Sequence, residues 1–296
     1  MLYSAVPPSE KRRQLRRRLT AGELTVLPGA FSAVSAQLIA RRGAAGVYVS
    51  GHMIAADLGL PDLGLTTITE VAERGRQIAR MVDVPVLIDA DTGFGEPLNA
   101  ARSIQSLEEA GVAGCHIEDQ VNPKQCGHSE GIAVVDSNVA VRRVRAAVDA
   151  RRDPDFVVIA RTDARAVQGL DAVIDRARAF VDAGADVIFP EALRTPDEYA
   201  AFRRAIDVPL MINLNEFGRG TPLAQAEVRD LGYELAIYPV TLLRLAMNAA
   251  LRGIDAILAD GSQHELLPDM QTKDELYDLL GYDRYRAFDD AVFVAR

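Results

Sequence analysis

The chain has 296 residues, with 33 Lys and Arg against 42 Asp and Glu and a net charge of −9. That balance argues against a nucleic-acid or anionic-membrane surface as the main partner. Hydrophobic residues make up 49% and charged residues 25%, as in an ordinary globular protein long enough to bury a sizeable core. The two cysteines, Cys115 and Cys126, exclude a disulfide framework and a cysteine-rich zinc module, and they fit a reducing cytoplasm. No apolar run reaches transmembrane length, and the N-terminus lacks the apolar stretch of a signal peptide.

In chain order, the basic run Lys11–Arg18 reads as the solvated face of a short leading helix at about residues 9–19. Short apolar runs follow at Thr25–Pro28, Gly46–Ser50, Val84–Asp89, Gly114–Glu118, Phe156–Thr162, Asp186–Glu191, Pro209–Asn213 and Leu235–Pro239. Most are continuous rather than alternating, which marks parallel strands covered on both faces. Amphipathic stretches separate them: one capped at Thr67 with Glu70 three residues on, one over Asn99–Gly111, and one over Leu170–Gly184. Helical segments continue at Leu242–Leu251 and Lys273–Leu280.

Eight strand-then-helix units predict an α/β fold, a (β/α)₈ barrel spanning residues 1–296 as one domain, with a helical extension from about 254. A doubly wound sheet is the runner-up. It would want a Gly-rich phosphate turn after an early strand, and Gly93-Phe94-Gly95-Glu96-Pro97 is not that fingerprint.

Barrel enzymes gather their chemistry at the C-terminal ends of the strands. Those ends carry Tyr48 and Ser50, Asp89 and Asp91, Glu118, Arg161 and Asp163, Glu191, Asn213 and Asn215, and Tyr238 with Arg244 nearby. Asp89 and Asp91, two apart on an extended strand, would share a face and repel unless a cation lay between them. Mg²⁺, or alternatively Mn²⁺, with Glu118 contributing from the next strand, relieves that repulsion. Capping and salt-bridging roles are the bland alternative. Cys126 stands on a loop between Lys124 and His128, both able to depress its pKa. Cys115, within an apolar strand, reads as a core filler. His52, His116 and His264 have no partners visible in the sequence. Arg161 and Arg244 suit carboxylate clamping, alone or alongside structural pairing with a strand-end acid such as Glu191.

Taken together, Gly46-Val47-Tyr48-Val49-Ser50-Gly51, Leu60-Pro61-Asp62-Leu63-Gly64, Asp89-Ala90-Asp91-Thr92-Gly93-Phe94-Gly95, His116-Ile117-Glu118-Asp119-Gln120, Lys124-Gln125-Cys126-Gly127-His128 and Ala160-Arg161-Thr162-Asp163-Ala164 resemble the isocitrate lyase/phosphoenolpyruvate mutase superfamily, and within it the methylisocitrate lyases. Phe189-Pro190-Glu191-Ala192, Asn213-Leu214-Asn215-Glu216-Phe217-Gly218, Ile237-Tyr238-Pro239 with Arg244, and Met270-Gln271-Thr272 add to it, so the likeness runs from about Leu19 to Tyr282. The resemblance implies a barrel whose last helix is exchanged within a homotetramer. It also implies a Mg²⁺ held mainly by Asp89, with Asp62, Asp91 and Glu118 acting through coordinated water.

The implied reaction cleaves 2-methylisocitrate to pyruvate and succinate, a step of propionate breakdown by the methylcitrate cycle. Tyr48 would take the hydroxyl proton, Arg161 would stabilise the developing charge, and Cys126, tuned by Lys124 and His128, would protonate the carbanion. Ser50, Gly51, His52, Asp89, Gly127, Glu191, Asn213, Asn215, Pro239, Arg244 and Lys273 would contact the substrate. Three positions depart from the usual pattern: His52, Gln125 and Lys273 stand where Gly, Arg and Arg are usual. They leave isocitrate, 2,3-dimethylmalate and oxaloacetate as alternative substrates. A non-catalytic metabolite-binding barrel is the alternative from another class.

Overall fold

The computed structural model describes residues 3–127, 131–218 and 220–294. Eight parallel strands form among them: β1 Thr25–Pro28, β2 Val47–Val49, β3 Val86–Asp89, β4 Gly114–Glu118, β5 Val157–Thr162, β6 Val187–Pro190, β7 Met211–Asn213 and β8 Leu235–Tyr238. Strands β2 to β6 pair in sequence order, and β8 pairs with both β1 and β7. Single parallel bridges, Gly29 to Tyr48 and Ile188 to Leu210, join the two sheets into a closed barrel.

Alternation along the strands separates two cores. On β5, Val157 and Ile159 face inward with Tyr48, Leu87, Phe189 and Met211, whereas Val158 packs outward against the surrounding helices with Ile104 and Leu107. The helix over Ile68–Ala79 is capped by Thr67 and Glu70 in reciprocal hydrogen bonds, as its sequence predicts.

The leading helix, Pro8–Thr20, corrects one expectation. Lys11 and Arg12 are only 2% and 7% exposed rather than solvated. The helix lies across the N-terminal ends of the strands, with Leu15 and Leu19 closing the inner core. Lys11 donates to the Ala79 carbonyl, and Arg12 donates to the Glu108 and Val112 carbonyls and to Asp153. The cations therefore pair with main-chain carbonyls near helix C-terminal ends, that of Glu108 also accepting from the Gly111 N–H.

The eighth barrel helix runs from Thr241 to Asp260, past the Leu251 limit expected from sequence, because nothing breaks the pattern before the left-handed cap at Gly261. The boundary drawn at 254 thus falls inside a continuous helix. A short 3₁₀ turn, His264–Asp269, precedes the helices Lys273–Leu280 and Tyr282–Val294. No helix among the described residues is long and apolar enough to cross a membrane.

Candidate active site

Strand register brings the chemistry together. Asp89 on β3 lies beside His116 on β4, Glu118 beside Arg161 on β5, and Arg161 beside Phe189 on β6. A cavity opens at this C-terminal rim. Tyr48, Ser50, His52, Asp62, Asp89, Lys124, Cys126, Gly127, Arg161, Glu191, Asn213, Asn215, Pro239 and Arg244, all expected from sequence, line it. Phe189, Ile237 and Val240 line it too, without having been singled out.

Asp89 and Asp91 converge, but not by strand alternation. β3 ends at Asp89, and Asp91 turns into the left-handed region at φ 44°, a conformation costly for a residue with a Cβ. Both carboxylates nevertheless face Gly51, where an added Cβ would lie 3.0 Å from an oxygen of each. The Gly51 N–H donates to Asp89 Oδ2 and the Asp91 N–H to Asp89 Oδ1, each at 3.0 Å.

Lys124 enters this acidic cluster from the loop, its ammonium 2.5 Å from Asp62 and 2.9 Å from Asp91. Burial opposes the charge on Lys124, but Asp91, Glu118, Asp89 and Asp62 outweigh it and raise its pKa. Arg161 grips Asp163 with two hydrogen bonds, at 2.8 and 3.1 Å. It also lies 3.3 Å from Glu118 and 3.7 Å from Glu191. The structural pairing and the cavity position of Arg161 thus coexist. Asn213 donates to Glu191 at 3.2 Å. Arg244 is held 3.1 Å from Glu216 and over the Phe217 ring.

The acid loop is packed onto this machinery. An added Cβ at Gly127 would lie 2.4 Å from an Arg161 nitrogen and 2.6 Å from Asp163, so only glycine fits there. Cys126 is half-buried at the cavity, whereas Cys115 is fully buried in the core with a thiol pKa raised by desolvation. His128 lies outside the described residues. Lys273 is not brought to the cavity: it starts a C-terminal helix, with its ammonium 5.2 Å from the Tyr277 ring centre.

The sequence reading missed His116. Its Nε2 lies 2.7 Å from the Tyr48 hydroxyl and its Nδ1 3.6 Å from Asp89 Oδ1, with no exposure to solvent. The signal was present: His116 is two residues before Glu118, so alternation points both inward. Burial, opposed by Asp89, lowers the His116 pKa to about 4, so the ring is neutral. Burial and the Asp89 charge raise that of Tyr48.

The carboxylates have room for a cation. A buried oxygen of Glu118 lacks a hydrogen-bond partner, and Asp91 Oδ1 meets only the Lys124 ammonium, at 2.9 Å. Burial pushes Asp91 up to about 6 despite Lys124, and pushes Glu118 up despite Arg161. Buried carboxylates that these cations only partly offset fit a hard divalent ion. No group of three or more His, Cys, Asp or Glu side chains among the described residues forms a ready ligand set. Mg²⁺ is commonly held by one or two carboxylates and water, so the arrangement suits it better than zinc.

A parallel barrel with acids, three cationic side chains and a thiol at its C-terminal rim defines an enzyme-type site for a small anionic ligand. Residues 15–258 match the phosphoenolpyruvate phosphomutase family. The chain is 54% identical to the probable 2-methylisocitrate lyase 2 of Corynebacterium glutamicum, covering 99% of this chain and 95% of that one. It is 44% identical to the 2-methylisocitrate lyase of Bacillus subtilis, covering 94% and 92%. Among solved structures it is similar to oxaloacetate acetylhydrolase with the inhibitor 3,3-difluorooxalacetate, at TM-score 0.91, 32% identity, and 97% and 98% coverage. It is also similar to phosphonopyruvate hydrolase with oxalate and Mg²⁺, at TM-score 0.86, 29% identity, and 95% and 98% coverage. The chain belongs to the phosphoenolpyruvate mutase/isocitrate lyase superfamily.

Proposed function

We propose that this protein is a carbon–carbon lyase that cleaves 2-methylisocitrate to pyruvate and succinate. The observation that carries the reading is the convergence of Asp89, Arg161 and Cys126 on one cavity, in a chain with 54% identity to a relative named for that reaction.

Tyr48 accepts the substrate's hydroxyl proton at its Oη as it passes its own to His116 Nε2, 2.7 Å away. The Asp89 charge beside the imidazole offsets part of the burial that disfavours its protonation as it takes up that proton. The Arg161 guanidinium stabilises negative charge on the forming carbonyl oxygen. When the C–C bond breaks, its electron pair stays on the succinate carbon, and the Cys126 thiol protonates that carbon. Arg244, Asn213 and Asn215 orient the leaving carboxylates, Glu191 accepts from Asn213 and so fixes that amide, and the loop around Gly127 keeps water from the carbanion. Asp89 would hold a Mg²⁺, with Asp62, Asp91 and Glu118 acting through water. Bound there, the ion supplies Lewis acidity to the substrate oxygens.

A second reading, a lyase or hydrolase for another 2-hydroxy or 2-oxo acid, is favoured by the imidazole of His52 at the cavity wall. Assaying 2-methylisocitrate, isocitrate, 2,3-dimethylmalate and oxaloacetate side by side with Mg²⁺ and with Mn²⁺ decides between them. Turnover of another acid without turnover of 2-methylisocitrate would displace the first reading.

The reading extends to one barrel domain in a cytoplasmic homotetramer serving propionate breakdown. For the assembly, its support is the helix Thr241–Asp260, which buries no residue and leaves Leu251, Ile254 and Leu258 exposed. Helix exchange with a second copy would cover them.

A further inference from the structure

The loop that carries Cys126 begins and ends on a small antiparallel ladder. The Val121 N–H donates to the Ala133 carbonyl and the Val135 N–H to the Asp119 carbonyl, each at 2.9 Å, with Gln120 bridged to Val134. This anchors the base of the loop but leaves the segment near Cys126 to be held by other means. Gln120 crosses the loop interior to supply them. Its side-chain nitrogen donates to the Gln125 carbonyl, and its side-chain oxygen accepts from the Gln125 N–H, both at 3.0 Å. The amide is 1% exposed, and its main-chain carbonyl accepts from Arg143.

We propose that Gln120 is the positioning residue of the acid loop, its amide clamping the main chain of Gln125 so that Cys126 projects into the cavity. The proposal rests on Cys126 being the proton donor. An amide suits the task because it offers one donor and one acceptor side by side, the complement of a residue's own N–H and C=O. The clamp grips main chain alone, so it is indifferent to the side chain before Cys126. That accounts for how Gln125 can replace an arginine there while the loop keeps its course.

The test is Gln120→Met in the full chain with Mg²⁺. This substitution keeps the volume and removes both hydrogen bonds. Two quantities are read: steady-state turnover of 2-methylisocitrate, and the rate of Cys126 alkylation by iodoacetamide, located by peptide mass spectrometry. The clamp requires kcat to fall about tenfold or more with KM within about threefold, and alkylation to speed up at least about threefold as the loop loosens. Gln120→Asn, one methylene too short to span both groups, should give the same pattern and serves if the Met variant misfolds. Wild-type kcat and alkylation in either folded variant would overturn the clamp. Failure of the lyase reading looks different: the wild-type protein would not turn over 2-methylisocitrate, while the alkylation arm still reports on Gln120.

Discussion

The Tyr48 hydroxyl lies 2.7 Å from Nε2 of His116, and both side chains are shut away from solvent. The pair converts a phenol whose pKa burial has raised, a poor base alone, into the outer member of a relay ending beside Asp89. His116→Phe fills the space but cannot accept the proton. We expect kcat to fall about a hundredfold or more, with much smaller change in KM. Equal losses in kcat and in inhibitor affinity would instead make His116 a packing residue.

Cys126→Ser should lower kcat by about a thousandfold or more, because a hydroxyl is a far weaker acid than a thiol in the same place. Binding of a non-reacting dicarboxylate, measured by calorimetry, should persist. Unchanged turnover would remove Cys126 from the acid role.

Chelation with EDTA should abolish turnover, and Mg²⁺ should restore it. Titration calorimetry should then show binding that Asp89→Asn weakens about tenfold or more. Full activity in chelated protein would contradict the metal reading.

Asp119 is buried behind the site, where desolvation and the neighbouring Asp163 push its pKa up to about 6. A carboxyl raised above its unfolded value binds its proton more tightly in the folded state, so its contribution to stability improves as pH falls through about 6 towards 4. Wild-type should therefore gain stability relative to Asp119→Asn over that window, by about 1–3 kcal/mol in urea unfolding. A difference that does not change with pH would contradict this assignment.

Arg12 donates to the main-chain carbonyls of Glu108 and Val112 and to Asp153. Arg12→Met leaves those acceptors buried and should destabilise the fold by about 2–4 kcal/mol, with kcat unchanged because the site is at the opposite end of the barrel. A wild-type melting temperature would show that water satisfies these groups instead.

Much of the architecture was legible because burial leaves a local trace. All eight strands appear where apolar runs predict them, within two residues at each end. The C-terminal helix Lys273–Leu280 has the expected limits, capped by Thr272 and Glu275. Most expected cavity residues do line it, because polar groups at the ends of buried strands have nowhere else to face. What local pattern misread was charge. Lys11 and Arg12 look like any solvated basic run until open carbonyls meet them.

The sequence by itself determined that parallel strands deliver acids and a guanidinium to one rim, since periodicity dictates which face each side chain takes, and that a loop carries the thiol. Only the tertiary structure decided who meets whom. Register between β3 and β4 set His116 against Asp89, the left-handed turn at Asp91 aimed its carboxylate at Gly51 and Lys124, and Gln120 reached across its own loop to Gln125. Such pairings depend on interstrand offset and loop path, and neither is encoded in the repeat of any single element.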